Sequence, residues 1–217
     1  MTQSDKWADT PQRVRTALFG LPIVIGAVFI GSPISTILIL MVACIGIYEL
    51  YHISHLKKRW LGLFSVGALI YIGIPMVLLV IIRDGENGFA YTLLLLITNW
   101  TTDSMALIGG RLFGKHKLAL HISSGKTWEG AGIGFASACI MGWLVGIIAQ
   151  LPVGIIVIAP PAIACMTILG DLLESRIKRF FKVKDASHLL PGHGGFLDRL
   201  DGLLLAIPIF YLITNLS

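Results

Sequence analysis

Two pairs of acids three residues apart, Asp171 with Glu174 and Asp198 with Asp201, are the residues of this sequence best suited to do chemistry. Residues three apart on a helix share a face, so each pair sets two carboxylates side by side. Where two such faces meet, they supply oxygen ligands for a hard cation such as Mg²⁺. That ion takes one or two carboxylates and fills its other positions with water and substrate phosphates. Asp103 and Glu129 are further acids at or inside helix ends on the same side of the apolar segments. An acid inside a membrane segment is costly and is a functional candidate by default. The plainer alternative is that these acids only pair with Arg176, Arg179 and Arg199.

Donors for phosphate lie close by in the chain. Gly114-Lys115-His116-Lys117 and Ser123-Ser124-Gly125-Lys126-Thr127 place lysines, hydroxyls and glycines ahead of a helix expected from about Gly130, and a helix N-terminus suits a phosphate. The Gly-Lys-Thr is not a P-loop, because that pattern needs glycine where Leu120 stands. His193-Gly194-Gly195 repeats the character of the first loop. Its spacing leaves His193 open between ligand, phosphate donor and turn residue. His52, His55, His116, His121 and His188 read as interfacial. No serine sits in a nucleophile elbow and no His-Glu-x-x-His occurs, so hydrolase chemistry is not favoured.

The elements that must position these groups are apolar helices. The chain has 217 residues, 55% of them hydrophobic and 13% charged, against about 25% charged in globular proteins. Its apolar runs approach the roughly 20 residues that cross a bilayer. The expected class is an all-α, polytopic membrane protein forming one membrane domain over residues 1–217. Within it we read variable N-terminal helices over 1–102, a catalytic half over 103–201 and a last helix over 202–216. Seven helices are expected at about 14–31, 33–50, 61–82, 89–108, 130–149, 152–172 and 201–216. Gly31-Ser32-Pro33 and Gln150-Leu151-Pro152 read as tight turns, and Asp84-Gly85-Glu86-Asn87-Gly88 as a polar turn with two candidates for positive φ. Met1 to Thr10 lacks a secretory signal, and Thr10-Pro11 reads as a helix start. Cys44, Cys139 and Cys165 read as small buried hydrophobes.

All but Arg83 of the 17 lysines and arginines fall in segments that share one side of this topology. By the positive-inside rule that side is the cytoplasm, so the charged loops 109–129 and 173–200 face it together. For Lys57-Lys58-Arg59, attraction to anionic headgroups, worth about 1 kcal/mol each, is sufficient. The residues alone describe a membrane enzyme acting on phosphates at the cytoplasmic interface with Mg²⁺ or a similar ion, its substrate unnamed.

A family resemblance narrows this. Ser175-x-Ile177-Lys178-Arg179-x₄-Lys184-Asp185-x-Ser187-x₂-Leu190-Pro191-x-His193-Gly194-Gly195-Phe196-x-Asp198-Arg199-Leu200-Asp201 resembles the signature of the phosphatidate cytidylyltransferases, or CDP-diacylglycerol synthases. The segments Asp103 to Lys115, Ile122 to Gly130 and Gly170 to Ser175 resemble the same family, so the likeness is strong from about Asp103 to Asp201. It implies the reaction of CTP with phosphatidate to give CDP-diacylglycerol and pyrophosphate. It also implies a Mg²⁺ centre on Asp171 and Asp198, supported by Glu174 and Asp201, and admits a K⁺ ion beside it. On that reading Lys178, Arg179 and His193 join Asp171 and Asp198 in catalysis. Asp103, Arg111, Ser123, Lys126, Thr127, Glu129, Lys184, Asp185, Gly194, Gly195 and Arg199 bind substrate.

The expected partners are CTP, phosphatidate, the lipid bilayer of the cell inner membrane and a second copy of the chain, with no nucleic acid. Ser124 stands where the family usually has proline and Leu107 where it has an aromatic residue. The chain is also shorter than typical bacterial members before Asp103. The alternatives are a related CTP-dependent enzyme acting on another lipid phosphate or a polyprenol, and a transporter. A transporter would put its charge near the bilayer midplane and carry an internal repeat; here the charge gathers at one face and no repeat is found.

Overall fold

The computed structural model describes residues 10–120, 122–183, 185–187, 189 and 194–216. Helices follow the apolar runs: α1 (Thr10–Ile30), α2 (Ile34–Ser54), α3 (Leu61–Ala68), α4 (Ile74–Asp84), α5 (Gly88–Phe113), α6 (Trp128–Ile148), α7 (Val153–Phe180) and α8 (Leu197–Leu216). A π turn over Leu69–Gly73 joins α3 and α4 into one rod, and a 3₁₀ segment, His55–Trp60, leads out of α2. The described residues therefore form seven helical rods close to the expected positions. Four segments, Ile34–Lys57, Leu61–Asp84, Trp128–Ile148 and Val153–Phe180, are long and apolar enough to cross a membrane by length and composition. The chain is an all-α, multi-pass membrane protein.

Two local readings are corrected and a third is made specific. The 109–129 segment is more than a loop: β1 (Lys117–Ala119) pairs antiparallel with β2 (Ser123–Thr127), with Lys117 opposite Thr127 and Ala119 opposite Ser123. The Ser-Ser-Gly-Lys-Thr run is thus an extended strand feeding α6, whose N-cap is Thr127, its hydroxyl accepting from the Gly130 amide at 3.1 Å. In the turn from Asp84 to Gly88 the positive φ falls on Asn87 (55°) rather than on a glycine, as asparagine tolerates that region. Gly88 is required instead for space, since a Cβ there would run into the Arg83 carbonyl. Of the cysteines only Cys139 is buried; Cys44 and Cys165 are exposed, because these apolar helices carry hydrophobic side chains on their outward faces too.

Two helices outrun their apolar cores. α7 continues past the expected 172 to Phe180, because Leu172-Leu173-Glu174 and the lysine and arginines that follow are good helix formers. Lys178 and Arg179 in the last turn also complement the helix dipole. α5 likewise reaches Phe113.

The most extensive packing joins α5 to α6 and α7 to α8. Lipid tails are as apolar as leucine, so close approach and polar contacts bind such helices more than apolar burial does. Gly202 shows this at the α7–α8 crossing: a Cβ there would lie 2.6 Å from Thr167 Cγ2. Buried Thr167 also donates to the Asn99 side-chain oxygen at 2.9 Å, tying α7 to α5. The apolar core between these helices and α4 includes Ile72, Leu94, Leu95, Ile155, Ile163, Leu204, Ile207 and Phe210.

Candidate active site

Because α7 stays helical to Phe180, Asp171, Glu174, Ser175 and Lys178 line up along one stripe at spacings of three and four. The close α7–α8 crossing then lays this stripe against the first turns of α8. A Cβ on Gly170, next to Asp171, would run into the Asp201 carbonyl, and the charges of Glu174, Asp171 and Asp103 act on the Asp201 carboxyl. Asp103, on α5, accepts from the Asn99 amide at 3.5 Å and lies within electrostatic range of Asp171, Arg199 and Lys126. Acids far apart in the chain thus converge at one end of the bundle, beside the hairpin.

Two lysines are seated on this cluster. Lys126, projecting from β2, pairs with Asp171 Oδ1 at 2.7 Å and donates to Ser175 Oγ at 3.2 Å. Lys178 bridges the two acid pairs, 2.5 Å from Asp198 Oδ1 and 3.1 Å from Glu174 Oε1. Asp198 lies in the first turn of α8, ahead of its apolar run, and its other oxygen accepts the amides of Gly195 at 2.7 Å and Ala186 at 3.0 Å. Burial alone would raise its carboxyl. Lys178 and those amides outweigh burial and hold it below the usual carboxylate range.

Glu174 is different. It is 1% exposed, and among the described residues neither of its oxygens has an aligned hydrogen-bond donor, although the Lys178 ammonium is near. Among the described residues the Tyr71 hydroxyl, on the π turn and within electrostatic range of Glu174, Asp201 and Asp171, is also buried without a hydrogen-bond partner. Such buried polar atoms are groups that a bound ion or water would satisfy. Among the described residues the ion pairs put two lysines on three carboxylates, Asp171, Glu174 and Asp198, and such an acid-rich donor set fits a hard divalent ion. No three of these side chains form a closed metal cage among the described residues. Mg²⁺ does not need one, since water and phosphate complete its shell.

The remaining expected site residues separate into groups. Glu129, in the first turn of α6, accepts from the amides of Lys115 and His116 and from the His116 ring at 2.6 Å, and so ties the start of the hairpin down. Arg179 turns away from the acids and donates to the carbonyls of Ile122 at 3.1 Å and Val183 at 3.0 Å, fastening α7 to the hairpin turn. Gly194 has a φ of 81°, and a Cβ there would meet Asp198 Oδ2 at 2.6 Å. Asp185 is exposed near that glycine, Ser123 is half-buried in β2 and Arg111 lies in the last turn of α5. Lys184 and His193 lie outside the described residues.

Sequence reasoning missed Glu49. This residue of α2 is 1% exposed, and it accepts from Ser187 Oγ at 2.5 Å and from the amides of Phe196 at 3.1 Å and Leu197 at 2.7 Å. A lone acid in an apolar run was the available signal. Tyr71 was missed as well, and nothing in its local sequence distinguishes it.

Residues 58–217 match the cytidylyltransferase family. The chain is 37% identical over 156 residues to a phosphatidate cytidylyltransferase of Bacillus subtilis, covering 70% of this chain and 58% of that protein. It is 39% identical over 134 residues to the Haemophilus influenzae protein of that name, covering 59% of this chain and 46% of the relative. A Rickettsia bellii protein of the same name is 31% identical over 212 residues, covering 94% of this chain and 90% of its own length. Against the longer relatives, the chain spans about half of their length.

Proposed function

The chain belongs to the cytidylyltransferase family, and from that premise we propose that it is a CTP:phosphatidate cytidylyltransferase of phospholipid biosynthesis. An oxygen of the phosphatidate phosphate attacks the α-phosphorus of CTP. The bond from that phosphorus to the β-bridging oxygen breaks, and its electrons leave with pyrophosphate. CDP-diacylglycerol is the lipid product. The attacking phosphate is already anionic near neutral pH, since the second pKa of a phosphate monoester is about 6, so no strong base is required. The obstacle is electrostatic: two anions must meet and the leaving pyrophosphate must be stabilised.

The observation that carries this reading is the meeting of the α7 and α8 acids at one end of the bundle, with Lys126 bound to Asp171 and Lys178 bound to both Glu174 and Asp198. Asp171 and Asp198 would hold Mg²⁺, with Glu174 and Asp201 supporting them and a K⁺ ion admitted alongside. When bound, Mg²⁺ supplies positive charge to the phosphate oxygens. Lys126 and Lys178 are flexible-stemmed cations with three donors each, so either can turn from its carboxylate toward a phosphate. Arg111 and Arg199 add fixed positive charge, and Gly194-Gly195 keeps backbone amides free of side chains beside Asp198. The distribution of lysine and arginine supports placing this end of the bundle at the cytoplasmic face of the inner membrane. A homodimer is part of the same reading.

The test uses CTP labelled at the α-phosphate or, separately, at the γ-phosphate, with the purified chain, phosphatidate and Mg²⁺. The α label is expected in the lipid and the γ label in pyrophosphate. A γ label in the lipid would mean a kinase, and no labelled lipid from any lipid phosphate or polyprenol would remove the enzyme reading.

A further inference from the structure

Glu49 and Asp198 grip the same two pieces of backbone. Asp198 binds the amides of Ala186 and Gly195; Glu49 binds the Ser187 hydroxyl and the amides of Phe196 and Leu197. Together they lock the 185–187 segment against the start of α8. The amides of Phe196 and Leu197 are among the donors a helix N-terminus leaves without intrahelical partners, and a buried anion there is favoured by the helix dipole as well. The fit is tight: a Cβ on Gly195 would lie 2.7 Å from either Glu49 oxygen. Glu49 comes from α2, ahead of residues 58–217 that match the family.

We propose that Glu49 is a positioning residue for nucleotidyl transfer: by holding the amides at the start of α8 and the Ser187 hydroxyl, it fixes the backbone that orients Asp198. This rests on the cytidylyltransferase reading. The physical reason is specific to the carboxylate. One oxygen takes Ser187 Oγ and the Phe196 amide and the other the Leu197 amide, so an amide in its place turns its NH₂ toward a backbone N–H in either orientation and leaves that donor unsatisfied. Asp198 keeps its own partners but loses the fixed frame they hang on, and small misplacements of a reacting constellation are costly in rate.

The test compares Glu49→Gln with the native chain in detergent or vesicles. Three readouts are followed: CDP-lipid turnover, CTP bound per folded chain, and amide exchange at Ala186 and Gly195, which are Asp198's donors and not Glu49's. The expected result is a fall in kcat of roughly 10–100-fold, CTP binding stoichiometry unchanged and faster exchange at both amides. Ile39→Ala, a core change elsewhere on α2, is expected to lower the thermal midpoint while leaving turnover per folded chain intact. Should Glu49→Gln fold poorly, Ser187→Ala removes one of the three donors and is expected to lower kcat by a few-fold in a folded chain. Native turnover in Glu49→Gln, or a loss only in proportion to folded protein, overturns the proposal. If the native chain itself makes no CDP-lipid, the family reaction is what fails. Exchange then decides the positioning claim alone, and unchanged protection at Ala186 and Gly195 overturns it.

Discussion

Lys178 is the residue on which the charge balance of the cluster turns. Its side chain is 13% exposed and touches two acids that are nearly sealed, Glu174 at 1% and Asp198 at 5%. Removing one partner of a buried ion pair leaves an uncompensated charge, at a cost of about 3–5 kcal/mol. Lys178→Met is therefore expected to lower the thermal midpoint clearly, and Glu174→Gln in the same chain to restore part of it. Equal midpoints in the single and double variants would show that Glu174 and Lys178 are not coupled. At this scale the acids of α7 and α8 were legible because the i, i+3 spacing is local. Glu49 was not, because its three donors lie about 140 residues away in sequence, and no local pattern announces a long-range cap.

The α7–α8 crossing and the β hairpin are the elements that bring the cluster together. Gly202→Ala would press a methyl group against Thr167 and force the helices apart, as overpacked cores do at about 1–3 kcal/mol. Separation of Asp171 from Asp201 should cut turnover by more than about tenfold, measured against the folded fraction. An unaffected rate would mean that the crossing does not set the site. For the hairpin, Glu129→Gln loosens the amides of Lys115 and His116 and with them the strand that carries Lys126. The expected effect is a rise in the KM for CTP of several-fold with kcat less changed, checked by steady-state kinetics. The helix positions were readable from apolar runs. The end of α7 was not, because Arg176 to Arg179 looks like a loop to a hydropathy argument, while helix propensity carries the chain on to Phe180. The hairpin was hidden for a related reason: Ser-Ser-Gly-Lys-Thr has turn composition, and its pairing with Lys117–Ala119 supplies the strand.

Across the whole molecule, the charge asymmetry makes a topological claim that can be measured. Asn87 lies in the turn after Arg83, at one end of the bundle, and Lys182 just beyond α7 at the acid end. Cysteines placed at these two positions should react with an impermeant thiol reagent from opposite sides of the membrane, Lys182→Cys from the cytoplasm. The background must lack the native thiols, since Cys44 and Cys165 are exposed. Labelling of both positions from one side would break the proposed orientation. The central claim is that the acids of α7 and α8 form the site of nucleotide transfer, and the most direct measurement is CDP-lipid formation by Asp171→Asn and Asp198→Asn, each matched to the native chain for folded content. Each substitution is expected to lower turnover by at least about a hundredfold in a folded protein. Native turnover in either one would contradict the claim.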